Sequence, residues 1–288
     1  MKLKPEIMKK ILEFQKTEID ESLVYRKLAK KTKGENQKIL EKIADDEVRH
    51  YLKWREYTGK DMTPNKIKAF FYSLIATVFG ITFAIKMMEG GERKAEEEYS
   101  LIKGEVPDAE EIIKDELEHE YSLINMINEE KINYIGSMVL GVNDAIVELT
   151  GALAGLTFAI QNTRIVGLAG VITGIAAALS MAASEYLSQK SEGGDNPLKA
   201  AFYTGFAYIF AVILLVVPYF LFTSYLMALA LTLFDALVII LLFTFFIAVV
   251  KEKVFSKLFL EMVSISFGVA FISFLIGLLA RKFLNINV

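Results

Sequence analysis

The pattern of apolar and polar positions divides the chain into two halves. After about residue 133 the apolar positions run together into segments of about 20 or more residues, the length needed to cross a bilayer. Five such segments are present: Tyr134–Ile160, Arg164–Leu187, Lys199–Phe222, Tyr225–Val250 and Lys257–Ala280. Only short polar connections separate them, so this half is predicted to be a membrane domain of five helices.

The first half is richer in polar residues, and helix-breaking residues divide it into four predicted helices. Gly34 separates the first helix from the second, Gly59 ends the second, and Pro107 precedes the fourth. The sequence therefore predicts an all-α protein. A ferritin-like four-helix bundle over residues 1–131 is expected to precede the five-helix transmembrane domain over residues 132–288.

Charged residues are concentrated in the first half. The 288 residues include 35 acids and 32 bases, of which only eight acids and eight bases lie in residues 134–288. The first half is therefore expected to face water and the second half to face lipid. The net charge of −3 and the lack of a basic stripe argue against a nucleic-acid partner. The chain has no cysteine, which excludes disulfides, thiolate metal sites and iron–sulfur clusters.

The distribution of lysine and arginine predicts the orientation of the spans. With the N-terminus inside, the inner connections carry five basic residues and the outer ones carry three. This modest excess favours a cytoplasmic N-terminus by the positive-inside rule. The first 21 residues contain no apolar stretch long enough for a signal peptide, which favours the same orientation.

Both histidines of the chain follow a glutamate by three residues. Glu47 precedes His50, and Glu116 precedes His119. Positions i and i+3 share one face of a helix, so the carboxylate and the imidazole of each pair can bind one metal ion together or bridge two.

A second pattern repeats on the two other predicted helices, where a tyrosine follows a glutamate by seven residues: Glu18 precedes Tyr25, and Glu92 precedes Tyr99. Di-iron carboxylate bundles combine one glutamate from each of two helices with Glu-x-x-His from each of the other two. Such ligands favour iron or manganese over soft metals, and zinc is a further alternative for the same site. The predicted metal ligands are Glu18, Glu47, His50, Glu92, Glu116 and His119, with Glu21, Glu89 and Glu96 as candidates for an additional ligand. Most other acids of this half are expected to lie on solvated helix faces.

One apolar stretch of the first half, Ala69–Met88, is also long enough to cross a membrane. A span there would place the two Glu-x-x-His units on opposite sides of the bilayer and would separate the predicted ligands. Lysines at its ends, Lys66, Lys68 and Lys86, are typical of a helix at a membrane surface. The stretch is therefore predicted to form a buried or membrane-surface helix.

Acidic residues within the spans are functional candidates, because a charge inside a bilayer is costly. Asp144 and Glu148 lie on a face of the first span that also carries glycines, and Met181 and Glu185 lie on a similar face of the second span. Small residues permit close helix packing, and acids beside a thioether predict a polar path for cations. The alternatives are that Glu148 and Glu185 only reach water near the span ends, and that Met181 only packs. Further candidates, which no pattern supports, are Asp235 and Glu261.

The repeated motifs of the first half are those of a known family. They are Glu18-x6-Tyr25, Glu47-x-x-His50, Gly91-Glu92 and Glu116-x-x-His119. In these motifs residues 1–131 resemble the rubrerythrin and ferritin-like family, which implies a di-iron centre. That family places a second glutamate three residues after its third-helix ligand, where this chain has Ala95. The acid of the third helix that completes the site therefore stays open.

Two motifs of the membrane half resemble the vacuolar iron transporter family. They are Gly141-Val142-Asn143-Asp144 in the first span and Ser180-Met181-Ala182-Ala183-Ser184-Glu185-Tyr186-Leu187-Ser188 in the second. The resemblance implies a five-span homodimer that carries ferrous iron, sometimes manganese, against protons, with Asp144 and Met181 on the path. A rubrerythrin-like domain fused to such a transporter resembles bacterial membrane-bound ferritins, which implies iron export through the plasma membrane of a prokaryote.

Two functions are compatible with these features. In the first, the N-terminal bundle captures, buffers or oxidises cytosolic Fe(II), and the membrane domain exports it in exchange for protons. In the second, the spans only anchor a di-iron ferroxidase or peroxidase. An anchor needs one or two spans and no buried acids, so five spans with acids on small-residue faces favour transport.

Overall fold

Glycines and prolines end the helices of the first half where the sequence predicts. The computed structural model describes residues 4–88, 106–126, 134–194 and 196–284. The chain divides into two compact units, Met1–Glu129 and Glu130–Val288. The described helices of the N-terminal unit are α1 (Pro5–Ala29), α2 (Glu35–Thr58), α3 (Lys66–Phe79), α4 (81–88) and α5 (Asp108–Met126).

The turn between α1 and α2 brings these two helices together, and a buried tryptophan lies at the centre of the unit's packing. Gly34 precedes α2 with φ +71°, and Gly59 ends it with φ +63°, a left-handed conformation that favours glycine. Trp54 of α2 is fully buried and packs against Phe14 of α1 and Ile112 of α5. The indole thereby joins the three helices that carry the described Glu and His candidates.

The third helix of the predicted bundle is the one that would carry Glu92. Residues 89–105 lie outside the described part of the chain, and so do Glu89, Glu92, Glu96 and Tyr99. The four-helix bundle therefore stays a prediction.

The apolar stretch Ala69–Met88 is interrupted at Gly80, where φ is +96°. α3, which ends before this glycine, has 14 residues, or about 21 Å, which is shorter than the hydrocarbon core of a bilayer. One face of α3 exposes large apolar side chains: Ile67, Phe70, Phe71 and Leu74. Of the two predicted alternatives for this stretch, the exposed face fits a membrane-surface helix better than a buried one.

In the described part of the second unit, five helices are long and apolar enough to cross a membrane, as predicted. The helices extend beyond the predicted spans, because polar residues outside the apolar segments continue them. They are α6 (Ile135–Ile160), α7 (Thr163–Ser191), α8 (Pro197–Leu221), α9 (Tyr225–Val250) and α10 (Phe255–Leu284).

Glycines bring α6 into close contact with α10. A Cβ atom on Gly151 would lie 2.8 Å from Val269, and one on Gly155 would lie 2.9 Å from the carbonyl oxygen of Ser273. Each of these pairs is separated by 118 residues, so the two helices run parallel in a constant register. The glycines of the first span therefore hold two helices together, as small residues do in membrane proteins.

We expect Gly277→Ala to destabilise the membrane unit by about 1–3 kcal/mol, the usual cost of overpacking. A Cβ atom at this position would overlap the backbone oxygen of Gly155, which cannot rotate away. The thermal unfolding of the full chain in detergent measures the effect. Gly268→Ala on the same helix is the matched control, because nothing lies within 4 Å of its Cβ position. Equal melting temperatures for the two variants would contradict the close approach.

Candidate metal centre and membrane cavity

Three helices of the N-terminal unit bring carboxylates and an imidazole into one buried group. α1 contributes Glu18, α2 contributes Glu47 and His50, and α5 contributes Glu116. One ligand atom from each of these four residues lies within 4.8 Å of all the others. Glu18, Glu47 and His50 are at most 2% exposed. Four of the predicted ligands are therefore assembled as a group that can hold a metal ion.

The second histidine lies against the same carboxylates. The Nδ1 atom of His119 is 3.4 Å from Oε1 of Glu47 and 3.5 Å from Oε2 of Glu116. The Nδ1 atom of His50 is 3.1 Å from Oε1 of Glu116 and 3.9 Å from Oε2 of Glu47. Both carboxylates thus lie between the two imidazoles, whose ring centroids are 5.8 Å apart. The two carboxylates and the two imidazoles therefore form one continuous cluster of possible metal ligands.

Each histidine is held by an aspartate from the opposite helix. Nε2 of His50 is 3.1 Å from Asp115 on α5, and Nε2 of His119 is 3.1 Å from Asp46 on α2. Arg49 donates hydrogen bonds to both aspartates, at 2.6 Å and 2.5 Å. A proton on Nε2 that is donated to a carboxylate leaves Nδ1 with its lone pair free, as a metal ligand requires.

The histidine Nδ1 atoms provide the test of whether a metal fits. Both are buried, and neither forms a hydrogen bond with acceptable geometry in the described part of the chain. Their lone pairs point among carboxylates that are already present in a set suited to a hard or borderline cation. The residues therefore fit a metal ion.

The electrostatics of the group also indicate a place for positive charge. Burial and the neighbouring carboxylates of Glu116 and Glu18 raise the pKa of Glu47 well above its usual range. Burial opposes the charge on His50, but the adjacent carboxylates of Glu116 and Glu18 outweigh this effect and raise the pKa of His50 to about 10. Protons thus balance these carboxylates, and a bound cation would displace them. Metal affinity should therefore fall as the pH is lowered.

Glu18 and Glu21 of α1 each accept a hydrogen bond from a residue outside the metal-binding group. Trp54 donates its indole N–H to Oε1 of Glu18 at 3.1 Å, which orients that carboxylate. Lys68 donates to Glu21 at 3.1 Å. Burial raises the pKa of Glu21 to about 7 although Lys68 opposes the rise. Glu21, the one describable candidate for an additional ligand, is therefore a lysine partner and is not part of the compact group.

The two aspartates were missed in the sequence, although a signal for them was present. An aspartate stands directly before the glutamate in both Glu-x-x-His units, at Asp46 and at Asp115. Alignment of the two units with each other would have shown Asp-Glu-x-x-His in both. Only the structure shows why each aspartate is there: Asp46 of α2 contacts the histidine of α5, and Asp115 of α5 contacts the histidine of α2.

We expect Asp46→Asn and Asp115→Asn each to weaken metal binding about 10- to 100-fold, the usual effect of removing such a partner. Each substitution weakens the hydrogen bond that selects the tautomer of the histidine, and it leaves the metal ligands themselves unchanged. A competition titration of the full chain in detergent with a fluorescent chelator measures the affinity. Asp45→Asn is the control, because its side chain is 69% exposed and pairs with Arg26. Wild-type affinity in both variants would show that the aspartates do not support the ligands.

The membrane unit contains a cavity of about 670 Å³ between α6, α9 and α10. Asp144 and Asn143 of α6 line it together with Glu261 of α10. Lys251 and Lys253, from the connection between α9 and α10, also line it. The cavity therefore contains polar groups that come from both ends of the unit's sequence.

The other predicted path residues have different surroundings. Glu148 accepts a hydrogen bond from the buried Tyr208 of α8 at 2.8 Å. Glu185 is 6% exposed and accepts hydrogen bonds from Ser137 at 2.6 Å and from Gln189 at 3.1 Å. Met181 packs against the apolar core of the unit. Among these four candidates, only Asp144 lines the described cavity.

A comparison with protein families identifies the first two membrane helices. Residues 135–194 match the VIT family. This is an iron transporter family, and the match covers α6 and α7, which carry all four predicted path residues. The match supports a membrane protein that transports a metal. Comparisons with curated proteins and with solved structures find no match to the chain.

Proposed function

We propose that the chain exports ferrous iron from the cytosol through its membrane unit, in exchange for protons. The observation that carries this proposal is the VIT family match over α6 and α7, because it includes Asp144, which lines a cavity of the five-helix membrane unit. A carboxylate there can replace the water shell of a cation and can take up a proton when the cation leaves. Manganese is a second cation of suitable chemistry.

The N-terminal unit is proposed to capture Fe(II) on the cytosolic side. Glu18, Glu47, His50, Glu116 and His119 would hold the metal, which we propose is a pair of iron ions. A di-iron centre held there would supply redox chemistry towards ferrous iron. The protein's own residues do the rest: Asp46 and Asp115 fix the histidine tautomers, and Trp54 orients Glu18.

The remaining parts of the proposal concern assembly and location. The chain would act as a homodimer in the plasma membrane of a prokaryote, with its N-terminus in the cytoplasm. The excess of lysine in the inner connections supports this orientation. The five spans support a transporter over an anchored enzyme, because an anchor has no need of a polar cavity.

The proposal is tested by reconstituting the full chain into proteoliposomes that contain a fluorescent iron chelator. Fe(II) added outside should enter the lumen, and an imposed pH gradient should change the rate. Protein-free liposomes are the control. Brisk oxidation of Fe(II) without any flux would contradict transport and would support the alternative of a membrane-anchored di-iron ferroxidase or peroxidase.

A further inference from the structure

The helix α3 of the N-terminal unit has two different faces. Ala69 and Ala76 are buried on the face that packs along α1. The opposite face carries an apolar stripe of four large side chains at positions i, i+3, i+4 and i+7, each more than half exposed: Ile67, Phe70, Phe71 and Leu74. This spacing places them in one line along the helix. A contiguous apolar surface of this kind marks an interaction site.

Lysines lie on both flanks of the apolar stripe. At about 100° per residue, Lys66 lies roughly 90° from the centre of the stripe on one side, and Lys68 lies roughly 110° from it on the other. Lys66 is exposed, and Lys68 pairs with Glu21 at 3.1 Å. Lys31, from the turn after α1, donates a hydrogen bond at 2.6 Å to Thr77, which is on the same flank as Lys66. α3 itself contains no acid, so the surroundings of the stripe are positively charged.

We propose that α3 binds the surface of a bilayer that contains anionic lipids, with the apolar stripe among the acyl chains and the flanking lysines at the phosphate headgroups. Helices that lie in a membrane interface have this arrangement of an apolar face bordered by lysine. Five helices of the same chain are long and apolar enough to cross a membrane, so the chain itself brings a lipid surface close to α3. A second copy of α3 fits the stripe less well, because it would bring lysines of like charge together.

Binding of α3 to lipid would also fix the metal centre at the membrane surface. The backbone N–H of Asn65, directly before α3, donates a hydrogen bond to Asp20 of α1 at 2.6 Å, and Lys68 donates one to Glu21. These two acids follow the predicted ligand Glu18 by two and three residues. Packed helices lie about 8–10 Å apart, so α1 would be one helix layer away from the lipid-bound α3. The proposal goes beyond transport and does not depend on it.

Spin labels on the full chain in lipid nanodiscs test the location of the apolar stripe. The chain has no cysteine, so Phe70→Cys and Leu74→Cys each introduce a single site for a nitroxide. Power-saturation electron paramagnetic resonance compares collisions of the label with oxygen, which concentrates in lipid, and with a water-soluble nickel chelate. In nanodiscs that contain phosphatidylglycerol, both labels should collide more with oxygen than with nickel. Leu52→Cys is the matched control, because Leu52 is an exposed apolar residue of α2 and its label should collide freely with nickel.

The part played by anionic headgroups is tested with the label at Phe70. Exchange of phosphatidylglycerol for phosphatidylcholine should increase its collisions with nickel severalfold, and Lys66→Glu should do the same in the anionic nanodiscs. Lys66→Arg keeps the positive charge and should behave like the wild-type residue. Equal collision rates in the two lipids, and in Lys66→Glu, would contradict recognition of anionic lipid.

Two results would overturn the binding of α3 to lipid. Labels at Phe70 and Leu74 that meet nickel as often as the label at Leu52 would show that the apolar stripe lies in water. Labels shielded from both nickel and oxygen would show that protein covers the stripe, as in contact with a second copy. These measurements do not involve Fe(II) flux, so loss of transport and loss of lipid binding are distinguished.

Discussion

Asp144→Asn should abolish Fe(II) flux through the reconstituted protein, a loss of at least about 100-fold, which corresponds to roughly 2.7 kcal/mol. The substitution keeps the shape of the side chain and removes its charge, so it tests electrostatics and not packing. A neutral amide cannot balance the charge of a divalent cation, and it cannot carry the proton that leaves in exchange. The initial rate of lumenal chelator quenching measures the effect.

Two comparisons make the Asp144 result specific. Met181→Leu should have a milder effect, because it keeps the volume of a side chain that packs on the apolar core. The Asp144→Asn protein should keep the same elution volume in detergent and the same metal content in its N-terminal unit. Normal flux in Asp144→Asn would show that cations cross elsewhere.

Replacing both histidines, by His50→Ala with His119→Ala, should abolish tight metal binding by the N-terminal unit. Wild-type protein should bind about two metal ions per chain at this centre, because two Glu-x-x-His units contribute to it. The double variant loses both imidazole ligands and leaves the carboxylates of Glu18, Glu47 and Glu116 with less positive charge among them. Metal analysis of the purified full chain by mass spectrometry, after dialysis, measures the stoichiometry.

The double variant is accompanied by controls for folding. His50→Gln with His119→Gln keeps most of the side-chain volume and should lose the metal equally. Glu118→Ala changes an exposed acid beside the centre and should bind metal like the wild type. A stoichiometry near two in either histidine variant would mean that the ligands lie elsewhere.

The membrane helices could be predicted from the sequence because their signal is local. Lipid requires about 20 apolar residues in a row, and each of the five helices satisfies this by itself. The Glu-x-x-His units are local in the same way, since one turn of helix places both side chains on one face. The crossed contacts of Asp46 and Asp115 are not local: they join residues 73 and 65 positions apart and depend on the relative rotation of α2 and α5.

The path residues show the same limit of sequence reasoning. Asp144 and Glu148 are four residues apart and were assigned to one polar stripe. In the structure Asp144 faces the cavity, whereas Glu148 contacts Tyr208 of a different helix. Adjacent positions on one helix face can meet different neighbours, and the sequence does not state which helices are neighbours. Glu261 lines the same cavity from α10, and its sequence position does not indicate that α10 packs beside α6.

The contact between Gly155 and Gly277 also determines how the seam between α6 and α10 would behave during a transport cycle. The seam is open beside Asp144 and is closed at the glycines, about 16 Å further along α6. The gap between α6 and α10 is therefore wide at Asp144 and closes at Gly155 and Gly277. A cation at Asp144 cannot leak onward between these two helices unless they separate or it is passed to another helix pair. A larger residue at either glycine would keep α6 and α10 apart along this seam. We expect such a variant to let protons cross the membrane of liposomes that contain no added metal.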